Sequence, residues 1–156
     1  MKTFTTNYDS PIGTIGITAN SEEIIELSFL EQPLPESADI PEGLKACVKQ
    51  IDEYFLGHRT QFSLNLKPKG TAFQQRVWRQ LEKIPFGKAV SYGEIARSIG
   101  QPTACRAVGN ANGRNPIPII IPCHRVIGSN GHLAGYGSGI WRKEWLLNHE
   151  KVSFII

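Results

Sequence analysis

Just past its midpoint the chain runs Ser91-Tyr92-Gly93-Glu94-Ile95-Ala96-Arg97-Ser98-Ile99-Gly100-Gln101-Pro102-Thr103-Ala104-Cys105-Arg106-Ala107-Val108-Gly109-Asn110-Ala111-Asn112-Gly113. Ser91 and Glu94 match a capping box, in which hydroxyl and carboxylate each satisfy an orphan N–H of the first helical turn. They open a short helix that ends near Gly100. Gln101-Pro102 turns the chain, and Thr103 is placed to cap a further helix running towards Gly113. Two short helices across a tight turn are a helix-turn-helix pattern. The later helix is rich in small residues (Ala104, Cys105, Ala107, Gly109, Ala111, Gly113), with Arg106 as a lone long cation near its start. A reader of base edges in the major groove needs several long polar side chains. A surface of small residues instead lets the helix backbone approach the sugar-phosphate walls, or pack tightly on a neighbouring helix.

Upstream, Thr71-Ala72-Phe73-Gln74 is another capping box, and Phe73, Val77, Trp78, Leu81 and Ile84 give the following helix one apolar face. Lys67-Pro68-Lys69-Gly70 is a natural boundary, dividing the chain into domains 1–69 and 70–156. In the first, Gly13–Thr18 and Ile24–Phe29 read as strands joined by a turn at Asn20-Ser21-Glu22-Glu23. Leu44, Cys47, Val48, Ile51 and Phe55 recur at helical spacing, with Asp39 as the expected cap and Gly57 as the stop. Phe62–Leu66 alternates as another strand. This domain is expected to be a small antiparallel sheet with one helix, serving as scaffold.

Composition narrows the class. The 156 residues are 40% hydrophobic and 20% charged, a globular balance. The longest aliphatic run, Ile119-Ile120-Ile121, is far short of the roughly 20 residues of a membrane span. Met1–Asn7 lacks a signal-peptide core. Cys47, Cys105 and Cys123 are odd in number and form no CxxC pair, which points to a reducing interior. Charge is unevenly divided. Residues 1–69 hold six Lys/Arg against ten Asp/Glu, net −4, whereas residues 70–156 hold eleven against four, net +7. A basic domain of this size is what phosphate neutralisation requires.

Between Asn115 and Gly128 three prolines (Pro116, Pro118, Pro122) interrupt an apolar run, which argues against an interior helix or a fully bonded central strand. An extended buried segment is expected to deliver Cys123 at a fixed place. His124 and Arg125 follow it and could favour a thiolate. Neighbouring residues of an extended chain face opposite ways, so a bridging water would have to link His124 to the thiol. The tail Trp141–Glu150 reads as an amphipathic helix packed through Trp141, Trp145 and Leu146. Glu150 sits at its unfavourable, carboxylate-repelling end unless a partner such as a histidine compensates.

Pro122-Cys123-His124-Arg125-Val126 resembles the active-site signature of the O6-alkylguanine-DNA alkyltransferases (methylated-DNA–protein-cysteine methyltransferases). Pro85-Phe86-Gly87, Val90-Ser91-Tyr92-Gly93, Arg106-Ala107-Val108-Gly109, Asn115-Pro116 and Lys143-Glu144-Trp145-Leu146-Leu147 through His149-Glu150 extend the resemblance over most of residues 71–150. It implies an α+β fold: the small amino-terminal sheet and helix, then a mainly helical, winged helix-turn-helix DNA-binding domain that carries the active site.

By the same resemblance, Cys123 is the alkyl acceptor, His124 takes its proton through a water, and Glu150 orients the imidazole. Tyr92 assists departure of guanine, and Asn115 ties the recognition helix to the Cys123 segment. Arg106 enters the base stack in place of the extruded nucleotide, with Thr103, Ala107, Gly109 and Tyr92 on the DNA-facing surface. Tyr136, Val126, Lys143 and Pro118 line or support the base pocket. The implied partner is double-stranded DNA carrying O6-alkylguanine, with O4-alkylthymine left open. The implied reaction is one irreversible transfer per molecule, by a monomer without cofactor and away from membranes. A cytoplasmic location is expected, on the nucleoid, or nuclear in a eukaryote.

Two departures stand out. Gly137 follows Tyr136 where some relatives carry a serine that bonds the lesion oxygen. Residues 1–69 hold one Cys (Cys47) and one His (His58), too few for the structural zinc of some relatives, so no metal is expected. Competing readings are a non-enzymatic damage binder, which would lack the acceptor thiol, a sequence-specific regulator, and a Cys-His hydrolase.

Overall fold

Gly13–Ala19 and Ile24–Leu30 alternate apolar and polar residues around Asn20, whose side-chain oxygen accepts from the backbone N–H groups of Glu22 and Glu23 at 2.8 and 2.6 Å. That Asx-type turn folds the two strands into a hairpin. The computed structural model, which describes residues 2–156, adds a strand before them. Its first unit is thus an antiparallel sheet of β1 (Phe4–Ser10), β2 (Gly13–Ala19) and β3 (Ile24–Leu30), in that order. Helix α1 (Glu42–Phe55) covers one face, burying Leu44, Cys47, Ile51 and Tyr54 against Ile15, Ile17 and Leu27.

Two local expectations fail here. Asp39 does not cap α1. Its backbone is left-handed (φ 47°), and Pro41 occupies the cap position with no side-chain hydrogen bond. Phe62–Leu66 is not a strand but an extended segment touching β3 by one bridge, Ile24 to Leu66. Gln50 of α1 takes over Ser63, accepting from its N–H at 2.9 Å and donating to its carbonyl at 3.2 Å, so a side chain replaces the ladder partner a strand would need.

Residues 70–156 form the second compact unit. Both capping boxes are present: Thr71 with Gln74 starts α2 (Ala72–Leu81), and Ser91 with Glu94 starts α3 (Tyr92–Ser98). Gly100 closes α3 with φ +75°, a left-handed conformation glycine adopts without steric cost. Helix α4 (Cys105–Gly113) follows, completing the helix-turn-helix. Thr103 does not cap it. Ala104 holds that position, its N–H drawn back to the Gln101 carbonyl at 2.9 Å, so the turn closes on itself before the helix begins. Trp78 anchors α4 from α2 by donating its buried indole N–H to the Ala111 carbonyl at 2.8 Å.

Strands β4 (Val90–Ser91) and β5 (Val126–Ile127) pair in parallel. The residues before β5 are not extended as expected. Cys123–Arg125 form one turn of 3-10 helix. Helix α5 (Ile140–His149) buries Lys143, Leu146 and Leu147, whereas Trp141, expected in the packing face, is 52% exposed under the Arg142 guanidinium. No helix among the described residues is long and apolar enough to cross a membrane.

Candidate active site

The β4–β5 pair brings together what lies far apart in the chain. Tyr92 follows β4 directly, and the Cys123 turn leads directly into β5. Asn115 shapes the approach. Its side chain donates to the Ile121 carbonyl at 2.7 Å and accepts from the Ile117 N–H at 3.0 Å, holding a tight loop in which Ile119 adopts φ +75°. A β-branched residue at such a φ is strained, and the surrounding bonds over-determine it.

Cys123 is buried. Burial pushes its thiol pKa up, while hydrogen bonds from Asn115 and Tyr136 and the positive charge of Lys143 pull it down less strongly. The thiol is therefore protonated at rest, and Arg125 does not promote a thiolate. Instead Arg125 turns to Glu150, donating through Nε to Oε1 at 2.7 Å and through Nη2 to Oε2 at 3.1 Å. Its Nη1 donates to the Ile84 carbonyl at 2.6 Å.

His124 Nε2 meets Glu150 Oε2 at 2.7 Å, with both side chains fully buried. Burial would raise the Glu150 carboxyl, but the hydrogen bonds and charges of His124 and Arg125 outweigh it and hold it at about 2. It is a carboxylate that only accepts, so the proton of a neutral imidazole belongs on Nε2 and the lone pair on Nδ1. Burial lowers the pKa of His124 more than Glu150 raises it, which keeps the ring neutral. His124 Nδ1 is buried without a hydrogen-bond partner among the described residues. Glu150 itself stands at the C-terminal cap of α5, where the helix dipole repels it and the Arg125 cation and the His124 N–H compensate.

A pocket of about 250 Å³ is lined by Tyr92, Gly109, Asn112 and Tyr136 with neighbouring glycines of α4 and the Gly135–Gly137 loop. Tyr136 faces both this pocket and the thiol. Lys143 supports the loop from behind: its buried ammonium donates to the carbonyls of Val126, Ala134 and Gly135 at 2.5, 3.3 and 3.4 Å, and burial lowers its pKa to about 8. Val126 contributes that carbonyl and is itself buried. Pro118 does not line the pocket; it is buried in the loop before Cys123, bridged to Ile121. A side chain at Gly137 would stand 3.1 Å from the Gly113 carbonyl, so glycine lets this loop press against the end of α4.

Arg106 and Ala107 are exposed on α4 and Thr103 just before it, while Gly109 lies under the Tyr92 ring. Sequence reasoning missed two residues, the Arg125 bridge to Glu150 and the pocket position of Asn112. An arginine buried in an apolar run was the available signal for the first, since buried charges need partners. No three His, Cys, Asp or Glu side chains among the described residues are grouped so as to hold a metal ion.

Fold and site define a class: an α+β protein whose helix-turn-helix unit encloses a cysteine backed by a buried His-Glu-Arg cluster. Comparison with known proteins is consistent along the whole chain. Residues 72–152 match the family model described as 6-O-methylguanine DNA methyltransferase, DNA binding domain, and residues 4–68 match its ribonuclease-like domain. A methylated-DNA–protein-cysteine methyltransferase of Mycobacterium bovis is 50% identical over 147 residues, 92% of this chain and 89% of the relative. The constitutive Bacillus subtilis protein of that name is 45% identical, covering 96% of each chain. The crystal structure of Mycobacterium tuberculosis O6-methylguanine methyltransferase superposes with TM-score 0.86 at 47% identity, covering 96% of this chain and 93% of that one. The same organism's OGT in complex with DNA gives 0.85 at 49% identity, over 93% and 91%. The chain belongs to the 6-O-methylguanine DNA methyltransferase family.

Proposed function

We propose that this protein repairs DNA by transferring the alkyl group of O6-alkylguanine to Cys123, once per molecule. The observation that supports the reading is a buried thiol followed, in the same turn, by a neutral imidazole whose Nε2 is locked onto Glu150 and whose Nδ1 is left to accept a proton. The lesion oxygen lies within the stacked duplex, so the nucleotide must be extruded, at a cost of a few kcal/mol that is least for a badly paired base. Arg106, exposed on α4, fills the vacated stack, and the small residues around it let the helix lie close to the backbone whatever the sequence.

In the pocket the sulfur attacks the alkyl carbon in line with the O6 bond. The thiol proton passes through a water to His124 Nδ1, the S–C bond forms and the C–O6 bond breaks. Guanine leaves as its anion and takes up a proton delivered by the Tyr92 hydroxyl. Gly137 has no hydroxyl, so the donor to the lesion oxygen comes from the loop backbone. The product is a thioether, which offers hydrolysis no leaving group, so the protein is consumed.

Mixing the protein with duplex DNA carrying one O6-methylguanine, followed by intact-mass and peptide spectrometry, tests this. One added methyl, on Cys123, is expected, with none in Cys123→Ala, which retains DNA binding. Repeated turnover, an adduct elsewhere, or no adduct would refute the reading.

A further inference from the structure

Arg125, Glu150 and His124 are buried together, at 5%, 1% and 0% exposure. Burial makes the number of charges among them decisive, because a charge taken out of water without a counter-charge is costly. A guanidinium stays protonated at any pH the protein meets, and its planar fork matches both oxygens of a carboxylate. Arg125 uses that fit: Nε donates to Glu150 Oε1 at 2.7 Å and Nη2 to Oε2 at 3.1 Å. The Ile84 carbonyl accepts from Nη1 at 2.6 Å, and the guanidinium lies over the Phe86 ring, 5.9 Å from its centroid, so its place is fixed from a third side. The charge of Glu150 is thus balanced before His124 is counted.

His124 meets an oxygen that is already shared. Its Nε2 lies 2.7 Å from Glu150 Oε2, the same atom that accepts from Arg125 Nη2. A carboxylate without another partner would draw a second proton onto a buried imidazole and form a neutral ion pair with it. With Arg125 in place, that second proton would leave the cluster one positive charge in excess. Charged groups act on the ring from two elements: Glu150 and Lys143 from α5, and Arg125 from the ring's own turn. The chain leaving α2, which also packs on this turn, presents an uncharged group, the Ile84 carbonyl. Burial is the largest influence keeping the ring uncharged, and Arg125 and Lys143 add to it against the pull of Glu150. We infer that Arg125 is a positioning residue of the transfer reaction: by balancing Glu150 it keeps His124 uncharged and able to accept the thiol proton. Without it, Glu150 would change from an orienting acceptor into a counter-ion, and His124 into a cation with no place for that proton. The inference rests on the alkyl-transfer reading, and goes beyond it by assigning the residue that sets the charge of the base.

The test follows the His124 ring and the transfer rate together, in wild type and Arg125→Met. The ring is titrated by NMR without DNA, its signal assigned by its loss in His124→Gln. Single-turnover transfer from a duplex carrying O6-methylguanine is measured over the same pH range. Loss of the neighbouring cation should raise the midpoint of both curves by about one to three pH units. On the acid side that is a rate deficit of about tenfold per unit, closing as pH rises. Adding Glu150→Gln to Arg125→Met should cancel the shift, since that carboxylate carries the effect. If Arg125→Met does not fold, Arg125→Gln, which keeps a donor for Glu150 but no charge, takes its place. An equal loss at every pH, with the ring titrating as in wild type, overturns the inference and leaves Arg125 a structural tie. A wild-type ring already charged at neutral pH overturns it as well. Absence of transfer by wild type at every pH, with the ring titration displaced as expected, would instead sink the alkyl-transfer reading alone.

Discussion

Cys123 and His124, neighbours in one buried turn, rest as two neutral groups, because burial acts oppositely on an acid and a base. It raises the thiol and lowers the imidazolium, leaving a protonated sulfur beside a ring able to take its proton. A pH dependence follows. Transfer should need neutral His124, whose pKa is displaced below the ordinary 6.5, so the single-turnover rate should stay level from pH 8 past 6.5 and fall only in more acid solution. An acid limb centred at or above 6.5 would show that the ring is not held neutral by burial. At this scale the sequence singled out Cys123 and His124 by their place after a proline-broken apolar run and Glu150 by its place at a helix end, and the structure brings His124 and Glu150 together. The partner of Arg125 was not, because a guanidinium adjacent to the thiol in sequence is free to turn towards a carboxylate 25 residues away.

The capping boxes at Thr71 and Ser91 could be read directly, since each closes within four residues and depends on nothing distant. Asp39, Thr103 and the 62–66 segment failed where a proline, a closed turn or a glutamine from α1 outbid the local preference. Between elements, Glu150 is the tie that holds α5 to the Cys123 turn. Glu150→Ala should cost about 3–5 kcal/mol, read as a lower urea midpoint, because it strands Arg125 as a buried charge without its counter-charge and His124 Nε2 without its acceptor. The acid behaviour has a defined sign. A carboxyl held at about 2 when folded and near 4.5 when unfolded contributes fully above about pH 4.5 and loses that contribution as pH falls through 2. Urea titrations across that range should show the loss in wild type and a smaller one in Glu150→Ala.

Over the whole molecule, the acidic first domain and basic second domain set how the protein meets DNA. Two cations of the basic unit, Arg125 and Lys143, are buried structural groups, whereas Arg76, Arg79, Arg97, Arg106 and Arg114 are exposed. If about four of these neutralise phosphates, affinity for undamaged duplex should fall about a hundredfold between 50 and 200 mM salt, measurable by fluorescence anisotropy. A salt-independent affinity would remove the electrostatic account. The sequence by itself determined the two-unit division and the capping boxes that open α2 and α3. Those features reside in charge counts, spacing and contacts within a few residues. Only the tertiary structure decided that Arg125 serves Glu150, that Asn112 donates to the Cys123 carbonyl, and that burial raises the thiol pKa. Each depends on groups 11 to 41 positions apart in the chain and on burial, which no local pattern encodes.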